Sequence, residues 1–213
     1  MVIGVIPARL HSIRFPNKIL APINDKPMVM HVYDRAKEAD KLDDVIIAID
    51  SNDTEEALKS YKPNIQMTDL KHLSGTDRVA EVINDMDADV ILNIQGDEPV
   101  VNVHDIETLL AYNRKYPDRV VFGKTKANVE EFNDHSKAKV VCSREGRLLY
   151  SSRAGIPINN KGESCIIIPT AISPNGDGSN DVWVISIPDN TVQLSVEIFI
   201  CLRFKGVLSP PKF

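Results

Sequence analysis

The sequence predicts an α/β fold, a mainly parallel sheet with helices on both faces. Three observations carry that expectation. Short apolar runs at Val2–Ile6, Val45–Ile49 and Val90–Ile94 lack the polar alternation of a half-exposed strand. Segments with helical spacing follow each run. The densest polar clusters stand directly after the first and third runs, where open α/β sheets usually bind ligands.

Val2–Ile6 reads as a buried strand. Pro27 then opens a helical pattern through Asp40, with Met28, His31, Val32, Arg35 and Ala36 at helix spacing and proline in a tolerated first-turn position. Val45–Ile49 is a second buried strand ending at Asp50. Thr54–Ser60 reads as a short helix and Ile65–Met67 as a brief strand. Ser74–Met86 carries helical periodicity in Val79, Val82, Ile83 and Met86, and Val90–Ile94 and Val103–Tyr116 add another strand and helix.

Beyond Tyr116 the pattern changes. Lys139–Cys142 and Arg147–Ser151 flank Arg144-Glu145-Gly146, which predicts a hairpin inserted after the parallel units. Val182–Ile187 and Val192–Leu202 are apolar enough for strands that cover a sheet edge or an exposed part of the core. The chain therefore divides into residues 1–160, an α/β unit, and 161–213, a short β-rich segment whose end at Leu208-Ser209-Pro210-Pro211 is expected to fray.

The 213 residues, 43% hydrophobic and 26% charged, suit one domain with a sizeable core and a small appendage. A net charge of -5 gives no basic footprint for nucleic acid. The three cysteines, Cys142, Cys165 and Cys201, form no CxxC pair and suggest neither a disulfide framework nor a zinc site. A reduced, cytoplasmic setting is expected, with no secretion signal and no membrane span. Neither GxxxxGK[ST] nor GxGxxG occurs, against a P-loop ATPase and a nicotinamide-dependent dehydrogenase.

Against the acidic background, Arg9, Arg14 and Lys18 crowd one loop after the first strand. Guanidinium forks and an ammonium neutralise clustered phosphate oxygens, so the loop suits a polyphosphate better than it suits a merely solvated basic turn. A second cluster, His72-Leu73-Ser74-Gly75-Thr76-Asp77-Arg78, offers backbone N–H groups and hydroxyls to an anion or a base edge. Taken alone it reads better as a plain N-cap, with Ser74 and Asp77 in a capping box. The third cluster is Asn93-Ile94-Gln95-Gly96-Asp97-Glu98-Pro99. Gly96 permits a sharp turn or a close approach, and Asp97 at a strand's carboxyl end suits Mg²⁺, which one carboxylate plus substrate phosphates commonly hold. Glu98 reads better as a turn carboxylate.

Together these clusters resemble the sugar-nucleotide cytidylyltransferases, in particular those that act on 3-deoxy-manno-octulosonate (Kdo). The resemblance runs from Val2 to about Ile158. It takes in the Pro7-Ala8-Arg9…Ser12…Arg14…Pro16…Lys18 loop, Lys26-Pro27-Met28, Ser74-Gly75-Thr76-Asp77-Arg78 and Gln95-Gly96-Asp97-Glu98-Pro99. It continues through Lys139-Val140-Val141 and Tyr150-Ser151-Ser152-Arg153-Ala154-Gly155-Ile156-Pro157.

The resemblance implies transfer of CMP from CTP to an eight-carbon acidic sugar with release of pyrophosphate, in lipopolysaccharide synthesis. It implies that Arg9, Arg14 and Lys18 bind the triphosphate, with Pro7, Ala8 and Ser12 nearby, and that Ser74, Gly75 and Arg78 hold the cytidine part. Asp97 would bind Mg²⁺, while Gln95, beside the nucleotide, and Arg153 would face the sugar acid. Another acidic sugar is the alternative acceptor. Such proteins typically form homodimers through the later half of the chain.

Departures are specific. Asn17 stands where the family usually has Gly, and Asn is the next most tolerant residue for a left-handed backbone. Ile13 replaces a small hydroxyl residue. After Ile158 the family's sugar lid, its His-containing Gly-Tyr segment and a late metal-sharing Asp are not recognisable, so the chain also reads as a nucleotide-binding remnant with impaired turnover. Ile166–Phe199 instead resembles the start of the type B C-terminal sorting domain of the type IX secretion system, which makes the gene look chimeric. Asn175, Asp177, Ser179 and Asp181 alternate oxygen-bearing side chains suited to Ca²⁺, although a polar turn is the better reading.

Overall fold

A computed structural model of the chain describes residues 1–10, 15–84, 86–124, 129–143, 146–155 and 199–203. It opens with β1 (Val2–Ala8), a short 3₁₀ turn at Lys18–Leu20, and the small antiparallel pair β2 (Pro22–Ile23) and β3 (Lys26–Pro27). Next come α1 (Met28–Lys37), β4 (Asp44–Ile49), α2 (Asn52–Leu58), β5 (Ile65–Met67), α3 (Gly75–Ile83), β6 (Val90–Ile94) and α4 (Val103–Lys115). The rest comprises β7 (Val121–Phe122), α5 (Val129–Asn133), the hairpin β8 (Lys139–Cys142) and β9 (Leu148–Ser152), and β10 (Phe199–Arg203).

Six strands form one sheet in the order β5-β4-β1-β6-β10-β7. β1 lies between β4 and β6 and parallel to both, with Val5 opposite Ile46 on one side and Asn93 on the other. Alternate residues of these strands enter two separate cores, which is why their sequences read as unbroken apolar runs. Ile6, Ile47, Ile49, Leu92 and Ile94 pack with Val29, Val32 and Ala36 of α1, Leu58 of α2, and Ile106, Leu109 and Leu110 of α4. On the opposite face, Ile3, Val5, Ile46, Ala48 and Ile91 meet Val79, Val82 and Ile83 of α3. Each fully buried aliphatic side chain contributes roughly 1.5–3 kcal/mol. The parallel sheet with helices on both faces is thus as the sequence predicts.

Boundaries differ, each for a local reason. β1 continues two residues past Ile6 because its pairing with β4 runs on to Ala8 and Ile49, while pairing with β6 stops at Val5 and Asn93. Pro7 therefore sits where the strand has one partner, the setting in which a strand tolerates proline. α1 stops at Lys37, short of Asp40, as successive i→i−3 bonds from Ala39 N to Ala36 O and from Leu42 N to Ala39 O unwind it. α2 starts earlier than Thr54 because the Ser51 hydroxyl accepts from the N–H groups of Asp53 and Thr54. α3 ends at Ile83, three residues before Met86.

The predicted hairpin is present, with Val141 opposite Tyr150 and an irregularity between Val141 and Cys142. The expectation for Val192–Leu202 needs correction. The strand there is Phe199–Arg203, and it lies inside the sheet rather than at its edge, antiparallel to both β6 and β7. Backbone groups along β6 and β7 that would otherwise lack partners take their ladder bonds from it. The Val182–Ile187 strand, the Asn175–Asp181 loop, the sorting-domain resemblance and the Leu208–Pro211 end lie outside the described residues.

Candidate active site at the carboxyl ends of the strands

The carboxyl ends of β1 and β6 and the N-terminus of α3 converge on Pro7. A Cβ built on Gly75 would lie 3.1 Å from Pro7 Cγ, and one on Gly96 would lie 3.0 Å from the Pro7 carbonyl oxygen. At both positions a side chain would crowd the end of β1, so glycine lets the turns approach it closely. The three clusters found in the sequence are therefore one place in space.

Lys18 and Asp97 join two of them. Lys18 Nζ is 2.5 Å from Asp97 Oδ2, with both side chains about one-third exposed (39% and 34%). Asp97 reaches this position on a tight turn after β6, in which the Glu98 N–H donates to the Gln95 carbonyl at 3.3 Å. Lys18 follows Asn17, whose φ of 57° and ψ of 26° are left-handed, as anticipated for that residue. The Asn17 N–H donates to the Leu10 carbonyl at 3.2 Å, closing the neck of the basic loop. Arg9 is exposed beside this neck, Ala8 is buried and Pro7 half-buried. Ser12 and Arg14 lie outside the described residues.

Ser74 makes the capping box. Its hydroxyl accepts from the Asp77 N–H at 3.1 Å, while Asp77 Oδ2 accepts from the Ser74 N–H at 3.0 Å. Gly75 then begins α3 facing Pro7. Arg78, one turn on, points away from solvent. Its Nη2 lies 3.1 Å from Asp50 Oδ2, and its Nη1 donates to Thr68 Oγ1 and to the Ile49 carbonyl at 3.5 Å. The Arg78 and Asp50 side chains are 3% and 4% exposed. Asp50 Oδ1 in turn accepts the Leu10 N–H at 2.9 Å. In the sequence nothing marks Asp50 beyond a carboxylate closing a buried strand.

Gln95 is half-buried on the turn before Asp97. Arg153 stands at the base of the hairpin, and its Nη1 donates to the Ser136 carbonyl at 2.5 Å. Its carbonyl accepts from Lys139 Nζ at 2.7 Å, and the same ammonium also donates to the carbonyls of Asp134 and Lys137. Burial lowers the pKa of that ammonium. Nearby, burial pushes the Cys142 thiol up to about 12 and lowers the Lys124 ammonium to about 8.

No group of three His, Cys, Asp or Glu side chains suited to a metal occurs among the described residues. Asp97 would meet a metal as a single carboxylate beside cations, a donor set that fits Mg²⁺ carried on substrate phosphates. No helix among the described residues is long and apolar enough to cross a membrane.

Comparison with known proteins decides the family. The sequence model of the cytidylyltransferases matches residues 3–167. The chain belongs to this family. Among curated members, a 3-deoxy-manno-octulosonate cytidylyltransferase from Solibacter usitatus is 44% identical over 161 residues, covering 74% of this chain and 64% of that protein. One from Geobacter metallireducens is 40% identical, covering 73% and 62%. An 8-amino-3,8-dideoxy-manno-octulosonate cytidylyltransferase from Shewanella piezotolerans is 38% identical, covering 72% and 65%. The chain thus spans less than two thirds of the length of these relatives.

Among solved structures, a CMP:2-keto-3-deoxy-manno-octonic acid synthetase complexed with CTP is similar at a TM-score of 0.74 and 32% identity, over 95% of this chain and 73% of that one. The 4-diphosphocytidyl-2C-methyl-D-erythritol synthase of Anaerococcus prevotii, at 13% identity and a TM-score of 0.51 over 95% and 70%, shares the fold alone.

Proposed function

We propose that this cytidylyltransferase transfers CMP from CTP to Kdo, releasing pyrophosphate, as a cytoplasmic step of lipopolysaccharide synthesis. The observation that carries this reading is the contact between Lys18 and Asp97 where three loops close on Pro7. It brings a cation of the basic loop and the proposed metal carboxylate to one point.

In the reaction a sugar hydroxyl attacks the α-phosphorus of CTP. A new P–O bond forms as the hydroxyl gives up its proton to water, and the bond to the oxygen bridging the α- and β-phosphorus breaks to release pyrophosphate. Mg²⁺ held by Asp97 and the phosphates would supply neutralising charge. Arg9, Arg14 and Lys18 neutralise the phosphate oxygens and the departing pyrophosphate, while Pro7, Ala8 and Ser12 line the same loop. Ser74 and Gly75 belong to the cytidine side; Arg78, which the resemblance also assigns there, lies behind them with its guanidinium buried against Asp50. Gln95 and Arg153 orient the acceptor. Positioning and electrostatics suffice here, without a covalent enzyme intermediate.

Pyrophosphate release from CTP and Mg²⁺, measured with and without Kdo, tests this. Kdo-dependent release is the expected result, and its absence at all acceptor concentrations ends the proposal. The 8-amino acceptor belongs in the same assay because one relative bears its name. A second reading draws on the chain's span of under two thirds of its relatives. On that reading it is a nucleotide-binding remnant, and CTP raises the melting temperature while no pyrophosphate appears. Homodimer formation, which the resemblance assigns to the later half of the chain, concerns residues largely outside those described.

A further inference from the structure

We infer that Asp50 is a positioning residue for the nucleotide loop: clamped by Arg78, its carboxylate fixes Leu10 and thereby sets Arg9 and Lys18 at the loop's two ends. This rests on the proposed reading of that loop as a triphosphate cradle.

Leu10 spends both of its backbone groups on the neck. Its N–H goes to Asp50 and its carbonyl accepts from Asn17. The residue before Leu10 is Arg9 and the residue after Asn17 is Lys18, so one anchored residue governs where both cations start. The anchor itself is bonded from several sides. Asp50 directly follows β4, and Arg78 grips it from α3 while also bonding Thr68 and Ile49 at the ends of β5 and β4. Thr68 Oγ1 donates to the Ile49 carbonyl at 2.6 Å, so the guanidinium sits in a frame that is itself bonded. The pair is buried, so its bonds are shielded from water and hold one geometry. A buried guanidinium committed in this way acts on the nucleotide through Asp50 and Leu10.

The test uses the full chain, its Asp50→Asn variant and the double variant Asp50→Leu/Arg78→Met. The double variant removes both charges together, which buried pairs often tolerate without loss of folding. Two quantities are read: amide hydrogen exchange at Leu10, and the Kd for Mg·CTP by calorimetry. Exchange at Leu10 is expected to rise at least about ten-fold in the double variant, which removes the acceptor, and by less in Asp50→Asn, whose amide oxygen remains a neutral acceptor, while amides of β4 keep their protection. The Kd is expected to rise about ten-fold or more.

Unchanged exchange at Leu10 in a cooperatively folding double variant overturns the anchor. Freed Leu10 with unchanged Kd overturns its service to the nucleotide. Failure of the unaltered chain to bind Mg·CTP instead overturns the reading of the loop, and the exchange measurement still judges the anchor. A role confined to stability would lower the melting temperature and leave the Kd, measured well below it, where it was.

Discussion

Asp97 separates activity from stability within a single side chain. Its pair with Lys18 is about one-third exposed, and such pairs contribute about 0–1 kcal/mol. Asp97→Asn should therefore melt within about 3 °C of the parent, yet lose pyrophosphate release by on the order of 10²-fold or more. Release retained at the parental rate would remove Asp97 from its proposed role. Cys142 makes a different prediction. With its thiol pushed up to about 12 by burial, almost no thiolate forms at pH 8. Iodoacetamide should label Cys142 far more slowly in the folded chain than in denaturant, as read by peptide mass mapping. The sign of the linkage follows. A thiol with a raised folded pKa keeps its proton while the unfolded thiol loses it, so this group's contribution to stability falls as pH climbs from about 9 towards 12. At this scale Lys18 and Asp97 were legible because charge type and place after a strand already suggest a ligand. Asp50 was not, because a carboxylate ending a strand looks the same whether it meets water or a buried arginine.

Among the elements, α3 shows how a structural cap and a binding site coincide. The capping box of Ser74 and Asp77 fixes where the helix begins, and that start is what brings Gly75 against Pro7. Ser74→Ala should cost about 1 kcal/mol of unfolding free energy, measured by urea titration. Gly96→Ala should be worse for nucleotide binding than for folding. The added methyl meets the Pro7 carbonyl at 3.0 Å, so the turn carrying Asp97 must move away from β1. Loss of CTP affinity with a melting temperature lowered by less than about 8 °C is the expected pattern. The helices through α4 were readable from their apolar spacing and the central strands from apolar runs buried on both faces, whereas the small β2–β3 pair carries no such pattern. The ends of the elements were not readable, because they depend on bonds such as the turns after α1 that leave no apolar pattern.

The whole molecule is closed by β10, and here sequence reading reached its limit. Apolarity marked a strand near Phe199–Arg203, but nothing local says that its partners are β6 and β7, more than seventy residues earlier. Ile200→Pro, at the second residue of that strand, removes a backbone donor where both neighbouring strands are paired. With about 1 kcal/mol for the lost bond and further cost from displaced backbone, the melting temperature should fall by at least about 2–4 °C. A smaller drop would argue against the internal pairing. The same pairing bears on synthesis. As the ribosome delivers this chain, β1, β4, β5 and β6 can assemble early, but among the described strands β6 keeps a bare side and β7 has no partner until Arg203 has emerged. Through that interval the nascent protein carries an unprotected strand edge, the feature that recruits chaperones or neighbouring chains.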